Sequence, residues 1–154
     1  MFERFARSAR TAVEDARYEA ERRGDRRIGS DHLLLALLQD DELAQLVGVD
    51  GAAAHTAADQ LDRAALAAIG ITLDEFQPTG RAALGRHVPL MTTGAKAVIQ
   101  QSLANAAAEK ARTITTRHML LALLDRHEPD PAATLLAALD VDQPALRERL
   151  AAVA

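Results

Sequence analysis

Apolar residues recur at three- and four-residue steps along the first 23 residues of the chain. This stripe consists of Phe2, Phe5, Ala9, Val13, Ala16 and Ala20. Such spacing places the side chains on one face of an amphipathic helix, with Phe5 directed into the core. Gly24 follows directly, and glycine commonly ends helices. The pattern predicts a helix from about residue 3 to Arg23.

A similar stripe begins at Ala95. It continues through Val98, Ile99, Ser102, Leu103 and Ala106. Thr92 or Thr93 can cap the N-terminus of the resulting helix, because a hydroxyl oxygen accepts a hydrogen bond from a free backbone N–H group there. The second long helix therefore follows the pattern of the first.

A nearly identical apolar nonapeptide follows each long helix. It reads SDHLLLALL at residues 30–38 and TRHMLLALL at 116–124, and the histidines of the two copies are 86 residues apart. A short helix that is apolar on every side must be buried. Ser30 and Thr116 are the predicted N-caps of these helices.

Two further helices are predicted after each nonapeptide. The stretches LVGVD at 46–50 and ALDVD at 138–142 mark the end of one helix and the start of the next. The last helix of each copy is expected at about 51–69 and from about 143 to the end. The segment 70–91 contains three glycines and two prolines and is the predicted linker. We expect one compact all-α domain of two pseudo-symmetric four-helix repeats, about 1–69 and 92–154.

Composition narrows the possible classes of protein. A chain of 154 residues, 49% of them hydrophobic, can bury a core as a single domain. Cysteine is absent, which excludes disulfides, cysteine zinc sites and thiol nucleophiles. The N-terminus lacks the apolar core of a signal peptide, and no apolar run approaches the length of a membrane helix. We expect a soluble, cytoplasmic protein.

Charge is distributed unevenly. Residues 1–27 carry eight arginines against six acids, whereas residues 31–75 carry nine acids against Arg63 alone. In the basic segment Arg10, Glu14 and Arg17 alternate in sign at helical spacing, which is typical of a solvated helix face. Nucleic-acid binding through this arginine-rich helix remains a distant alternative, and it requires a steep dependence on salt.

Motifs for catalysis are missing. The sequence contains no GxxxxGK[ST], HExxH or GxSxG pattern. The five histidines form no close ligand pair on a predicted helix, and His32 and His118 occupy matching first-turn positions that suit a buried or capping role. We expect no enzyme activity, metal or cofactor, while an unrecognised hydrolase stays open as a third class.

Four stretches together resemble the N-terminal repeat domain of the Clp ATPases, closest to the ClpC type. They are MFERF at 1–5, IGSDHLLLALL at 28–38, HVPLMTTGAK at 87–96 and HMLLALL at 118–124. The resemblance spans essentially the whole chain. It implies a non-enzymatic module that receives peptide substrates, degrons and adaptor proteins for an AAA+ unfoldase, which feeds a proteolytic chamber.

The resemblance also implies two related sites for phosphoarginine, one in each repeat. Family members typically have Thr at the start of the long helix and Glu just before the histidine. In the first repeat these positions hold Ala6 and Asp31, so the hydroxyl is lost and the carboxylate has a shorter arm. In the second they hold Thr92 and Arg117, so a cation replaces the carboxylate. Neither site is complete.

These departures leave several interpretations open. Arg117 is either an exposed arginine of the helix start or a reader of phosphate and acidic peptides, and Phe2 is either part of the core stripe or the lining of an exposed apolar groove for peptides. The chain is expected to be a stand-alone relative rather than a piece of an unfoldase. Such a protein acts as an adaptor, as a decoy for substrates, or as a sponge for small molecules that target ClpC-type domains.

Overall fold

The computed structural model describes residues 2–72 and 90–154, which form eight helices and no strand. The all-α prediction is confirmed. The helices are α1 (Arg7–Arg23), α2 (Ser30–Leu37), α3 (Asp41–Val47), α4 (Gly51–Ala68), α5 (Thr93–Ala108), α6 (Thr116–Leu124), α7 (Pro131–Ala138) and α8 (Gln143–Ala152). Residues 73–89 of the predicted linker lie outside the described residues, and the linker's role stays a prediction.

The two nonapeptide helices lie at the centre of the molecule. Helix α2 packs against α1, α4, α5, α6 and α7, and α6 packs against α1, α5, α7 and α8 as well. Leu33, Leu34, Leu120 and Leu123 are fully buried. The buried position predicted for these helices is therefore confirmed, and burial of their apolar side chains is the main stabilising contribution to such a core.

Helix α1 begins later than predicted. Its first residue is Arg7, not residue 3, because Phe5 forms a parallel β-bridge with Ile114 and so holds an extended backbone. Phe5 is 2% exposed, as the core prediction required, and Gly24 ends the helix in the left-handed conformation with φ of 75°.

Ser30 and Thr116 are not the N-caps predicted for them. The caps are Gly29 and Thr115, and Ser30 and Thr116 are the first helical residues. The cap shifts by one residue because the histidine at the third helical position accepts the N–H of the cap residue through its ring. The ring thereby replaces the usual capping-box carboxylate.

The remaining helix predictions agree closely with the structure. Thr92 caps α5 and accepts the N–H of Ala95 at 3.1 Å. Asp50 and Asp142 cap α4 and α8 in the same way, so the short boundaries predicted at 46–50 and 138–142 are confirmed. These carboxylate caps satisfy N–H groups that otherwise lack a partner in the first turn.

Candidate binding site

The segment before each long helix pairs with the other half of the chain. Ile28 exchanges backbone hydrogen bonds of 2.9 and 3.0 Å with residues 90–92. Ile114 exchanges two bonds of 2.8 Å with residues 4–6. The start of α5 therefore lies beside the start of α2, and the start of α1 lies beside the start of α6.

This crossing changes which predicted site residues meet. Thr92 lies beside Asp31, in a cleft that both residues line. Ala6 donates its N–H to the carbonyl of Ile114, three residues before Arg117. The structure thus brings Thr92 to Asp31 and Ala6 towards the start of α6, whereas the sequence grouped Ala6 with Asp31 and Thr92 with Arg117. The binding roles of these four residues stay predictions.

Asp31 and Thr92 line a cleft of about 350 Å³ between the two halves. Its other lining residues are Asp25, Arg26, Arg27, Gly29, His32 and Pro131. The cleft thus combines two carboxylates, two guanidinium groups and the N-cap residue of α5. This mixture suits a ligand that carries positive and negative charge close together.

The carboxylate of Asp31 has no arginine or lysine partner within residues 2–72 and 90–154. Its side chain is 26% exposed, and its nearest basic atom is Nδ1 of His32 at 3.6 Å. That nitrogen accepts the N–H of Gly29 at 2.8 Å and so carries no proton to offer Asp31. Asp31 is available to a cation from a ligand.

His32 and His118 have the buried capping role predicted for them. Each ring is 3% exposed. In both, Nδ1 accepts the backbone N–H of the cap residue, so Nε2 carries the proton and donates to a carboxylate, Asp25 at 2.8 Å or Glu109 at 3.0 Å. The rings fix the starts of α2 and α6, and the start of α2 lies at the cleft.

Three groups at the cleft are favourable for an anion. Thr92 caps the 16-residue helix α5, whose first N–H groups lack backbone partners within the helix. Arg26 and Arg27 are exposed, and neither pairs with an acid in the described part of the chain. Helix N-termini and guanidinium groups are both common phosphate ligands.

Arg117 is engaged inside the protein. Its guanidinium donates two bonds to Glu109 at 2.8 and 2.9 Å, and its Nε donates to the carbonyl of Leu150 at 2.7 Å. Hydrogen bonds from Arg117, and secondarily from His118, lower the pKa of Glu109 from 4.5 to about 2, although burial opposes them. This arrangement argues against Arg117 as a reader of phosphate or acidic peptides.

The two remaining predicted site residues, Ala6 and Phe2, have apolar side chains. Ala6 is the N-cap of α1 and contributes no side-chain bond there. Phe2 is half-buried and packs edge-to-face on Phe5, with the ring centroids 5.1 Å apart. Phe2 therefore belongs in part to the core stripe, and a contact with peptides stays a prediction.

Other classes of site receive little support. Within the described ranges, Arg17, Arg22 and Arg23 of α1 each pair with an acid, which reduces the basic surface available to nucleic acid. Those ranges contain no group of three or more His, Cys, Asp or Glu side chains placed to hold a metal ion. None of the described helices is long and apolar enough to cross a membrane.

Comparison with known proteins agrees with this architecture. The model of the Clp repeat N-terminal domain matches residues 4–83 and 90–154. A similar solved structure is the N-terminal domain of the caseinolytic protease associated chaperone ClpD from Arabidopsis thaliana. It has 18% sequence identity and a TM-score of 0.73, and the match covers 99% of this chain and 96% of that one. At this identity the structural likeness concerns the fold.

Proposed function

The chain belongs to the family of Clp repeat N-terminal domains, and we propose that it is a non-enzymatic module that binds substrates or adaptors of a Clp unfoldase. The observation that carries the proposal is Asp31, a carboxylate without an arginine or lysine partner in the described residues, in one cleft with Thr92 and the start of α5. The arrangement suits recognition of a charged peptide side chain. A cytoplasmic location is part of this proposal.

Phosphoarginine fits the charges of this cleft. Its guanidinium group would pair with Asp31, and its phosphate would face the N-terminus of α5 together with Arg26 and Arg27. Asp31 and Thr92 come from different repeats, so the two residues that retain the family's carboxylate and hydroxyl form one site. At the equivalent place Arg117 replaces the carboxylate and is already bonded to Glu109, so one ligand per chain is expected.

The proposal is tested by calorimetric titration of the chain with a phosphoarginine peptide and with the same peptide carrying plain arginine. We expect binding that depends on the phosphate, with a stoichiometry of one. Asp31→Ala should weaken it at least about tenfold, the scale of a lost charge-assisted hydrogen bond. Asp41→Ala is the matched control, because Asp41 is an exposed acid in the first turn of α3.

Two results would contradict the proposal. Equal binding of both peptides would show that the phosphate is not recognised. An equal loss of affinity in Asp31→Ala and Asp41→Ala would show that the effect comes from the net charge of the protein and not from Asp31. The role as a decoy or as a sponge for small molecules stays a prediction. Its readout is inhibition of a ClpC-type unfoldase when the chain is added in excess.

A further inference from the structure

An apolar groove adjoins the Asp31 cleft. It lies between α4 and α7 and has a volume of about 430 Å³. Leu61, Ala65 and Leu135 form its apolar lining, and Leu135 is 1% exposed. Asp31 and Pro131 line both the groove and the cleft, so the two are adjacent. A ligand held by Asp31 is therefore next to the groove.

The C-terminal half of α4 is poorly covered. No residue from Asp59 to Ile71 is buried, although this stretch contains several apolar side chains. Ile69 is 72% exposed, whereas Ala54 in the first half of α4 is fully buried. An apolar helix face next to a concave groove is typical of a surface that contacts a ligand.

Acidic side chains surround this groove. Burial raises the pKa of Asp62, Arg23 beside it lowers that pKa, and the carboxylates of Asp25, Asp31 and Asp59 raise it further. Asp62 is thus close enough to the other three acids to be repelled by them, while the buried guanidinium of Arg23 is already bonded to Asp59 and Asp62. A ligand that brings positive charge next to these carboxylates relieves the repulsion, and an acidic ligand increases it.

We infer that the groove between α4 and α7 binds an apolar side chain next to the arginine that Asp31 holds. The preferred substrate is therefore a segment in which arginine has aliphatic neighbours and no acidic ones. The inference rests on the proposed function, since Asp31 positions the arginine. It adds to that function a preference for the residues next to the arginine. Leucine in such a groove loses its water-exposed apolar surface, whereas serine gains nothing.

The test uses four labelled peptides and fluorescence anisotropy. The central residue is phosphoarginine or arginine, and both neighbours are leucine or serine. We expect wild-type protein to bind the leucine peptide about tenfold more tightly than the serine peptide, a difference of ~1.4 kcal/mol. Ala65→Glu places a charge in the groove and should reduce this ratio to about one. Ala67→Glu, on the same helix outside the groove, is the matched control and should leave the ratio unchanged.

The two comparisons separate the inference from the proposed function. The inference about the groove is wrong if the wild type binds the leucine and serine peptides with equal affinity, or if the preference for leucine persists in Ala65→Glu. Either result leaves phosphate recognition unaffected. Binding of the leucine peptides irrespective of phosphate, lost in Ala65→Glu, supports the groove and overturns phosphoarginine recognition. No binding of any peptide overturns both. Thermal unfolding of each variant verifies that the fold is intact.

Discussion

The hydroxyl of Ser30 donates a hydrogen bond of 2.5 Å to Oδ1 of Asp130, 100 positions along the chain. Both side chains are buried, and the bond joins the first turn of α2 to the N-cap of α7. Asp130 also accepts bonds from the N–H of Ala132 and from Arg126, each at 3.0 Å. Ser30 thus completes a buried polar cluster between the two halves of the chain.

Ser30→Ala should therefore destabilise the protein. Removing one partner of a buried hydrogen bond to a charged group costs about 1.5–3 kcal/mol, and the two remaining donors to Asp130 keep the loss near the lower value. The measurement is the free energy of unfolding in urea. Ser8→Ala is the control, since Ser8 is exposed on α1. A loss equal to that of the control would contradict the role of the cluster.

The low pKa of Glu109 leads us to predict a specific dependence of stability on pH. Its pKa is about 2 in the folded chain, below the ordinary value of 4.5. A depressed carboxyl pKa contributes stability that is complete above the unfolded pKa and is lost as pH falls through the folded one. The difference in free energy of unfolding between wild type and Glu109→Gln should therefore shrink as pH falls from 4.5 to about 2. Glu148→Gln, at an exposed position of α8, should show no such trend.

Gly29 controls the position of the Asp31 carboxylate. A Cβ atom at Gly29 would lie 2.4 Å from Oδ1 of Asp31, so the carboxylate must move in Gly29→Ala. The backbone of Gly29, at φ of −95° and ψ of 172°, accepts alanine without strain. We expect about tenfold weaker binding of a phosphoarginine peptide and little change in stability. In an Asp31→Ala background the same change should have no further effect on binding, and an additive loss would contradict this explanation.

Arg23 connects the end of α1 to α4. Its guanidinium donates to Asp59 at 3.0 Å, to Asp62 and to the carbonyl of Ala58 at 3.3 Å. Because no side chain of residues 59–68 is fully buried and only Leu61 packs against the core there, these bonds are an important restraint on that half of α4. Arg23→Met should increase amide hydrogen exchange there and leave α2 protected. Arg22→Met, with the native side chain 60% exposed, is the control, and equal exchange in both variants would contradict the prediction.

Periodicity of apolar residues was sufficient to locate the helices, because each amphipathic stripe depends on neighbours within one element. It could not show that Ile28 pairs with Met91, or Phe5 with Ile114, since such bridges depend on contacts between distant segments. The sequence contained part of the signal for these bridges. Each polar link has one large apolar residue, an isoleucine, and the two isoleucines are 86 residues apart. The engagement of Arg117 was also inaccessible, because one of its acceptors is the backbone carbonyl of Leu150.

The two crossed bridges have a consequence for the ancestry of the fold. In each bridge, the link after one long helix pairs with the segment before the other long helix. A single copy of the repeat would have no partner for the backbone groups of either segment. Two identical copies related by a twofold axis would satisfy both segments at once. The present chain thus has the arrangement expected of a symmetric homodimer joined into one polypeptide, in which one copy leaves Asp31 partly exposed and the other bonds Arg117 to Glu109.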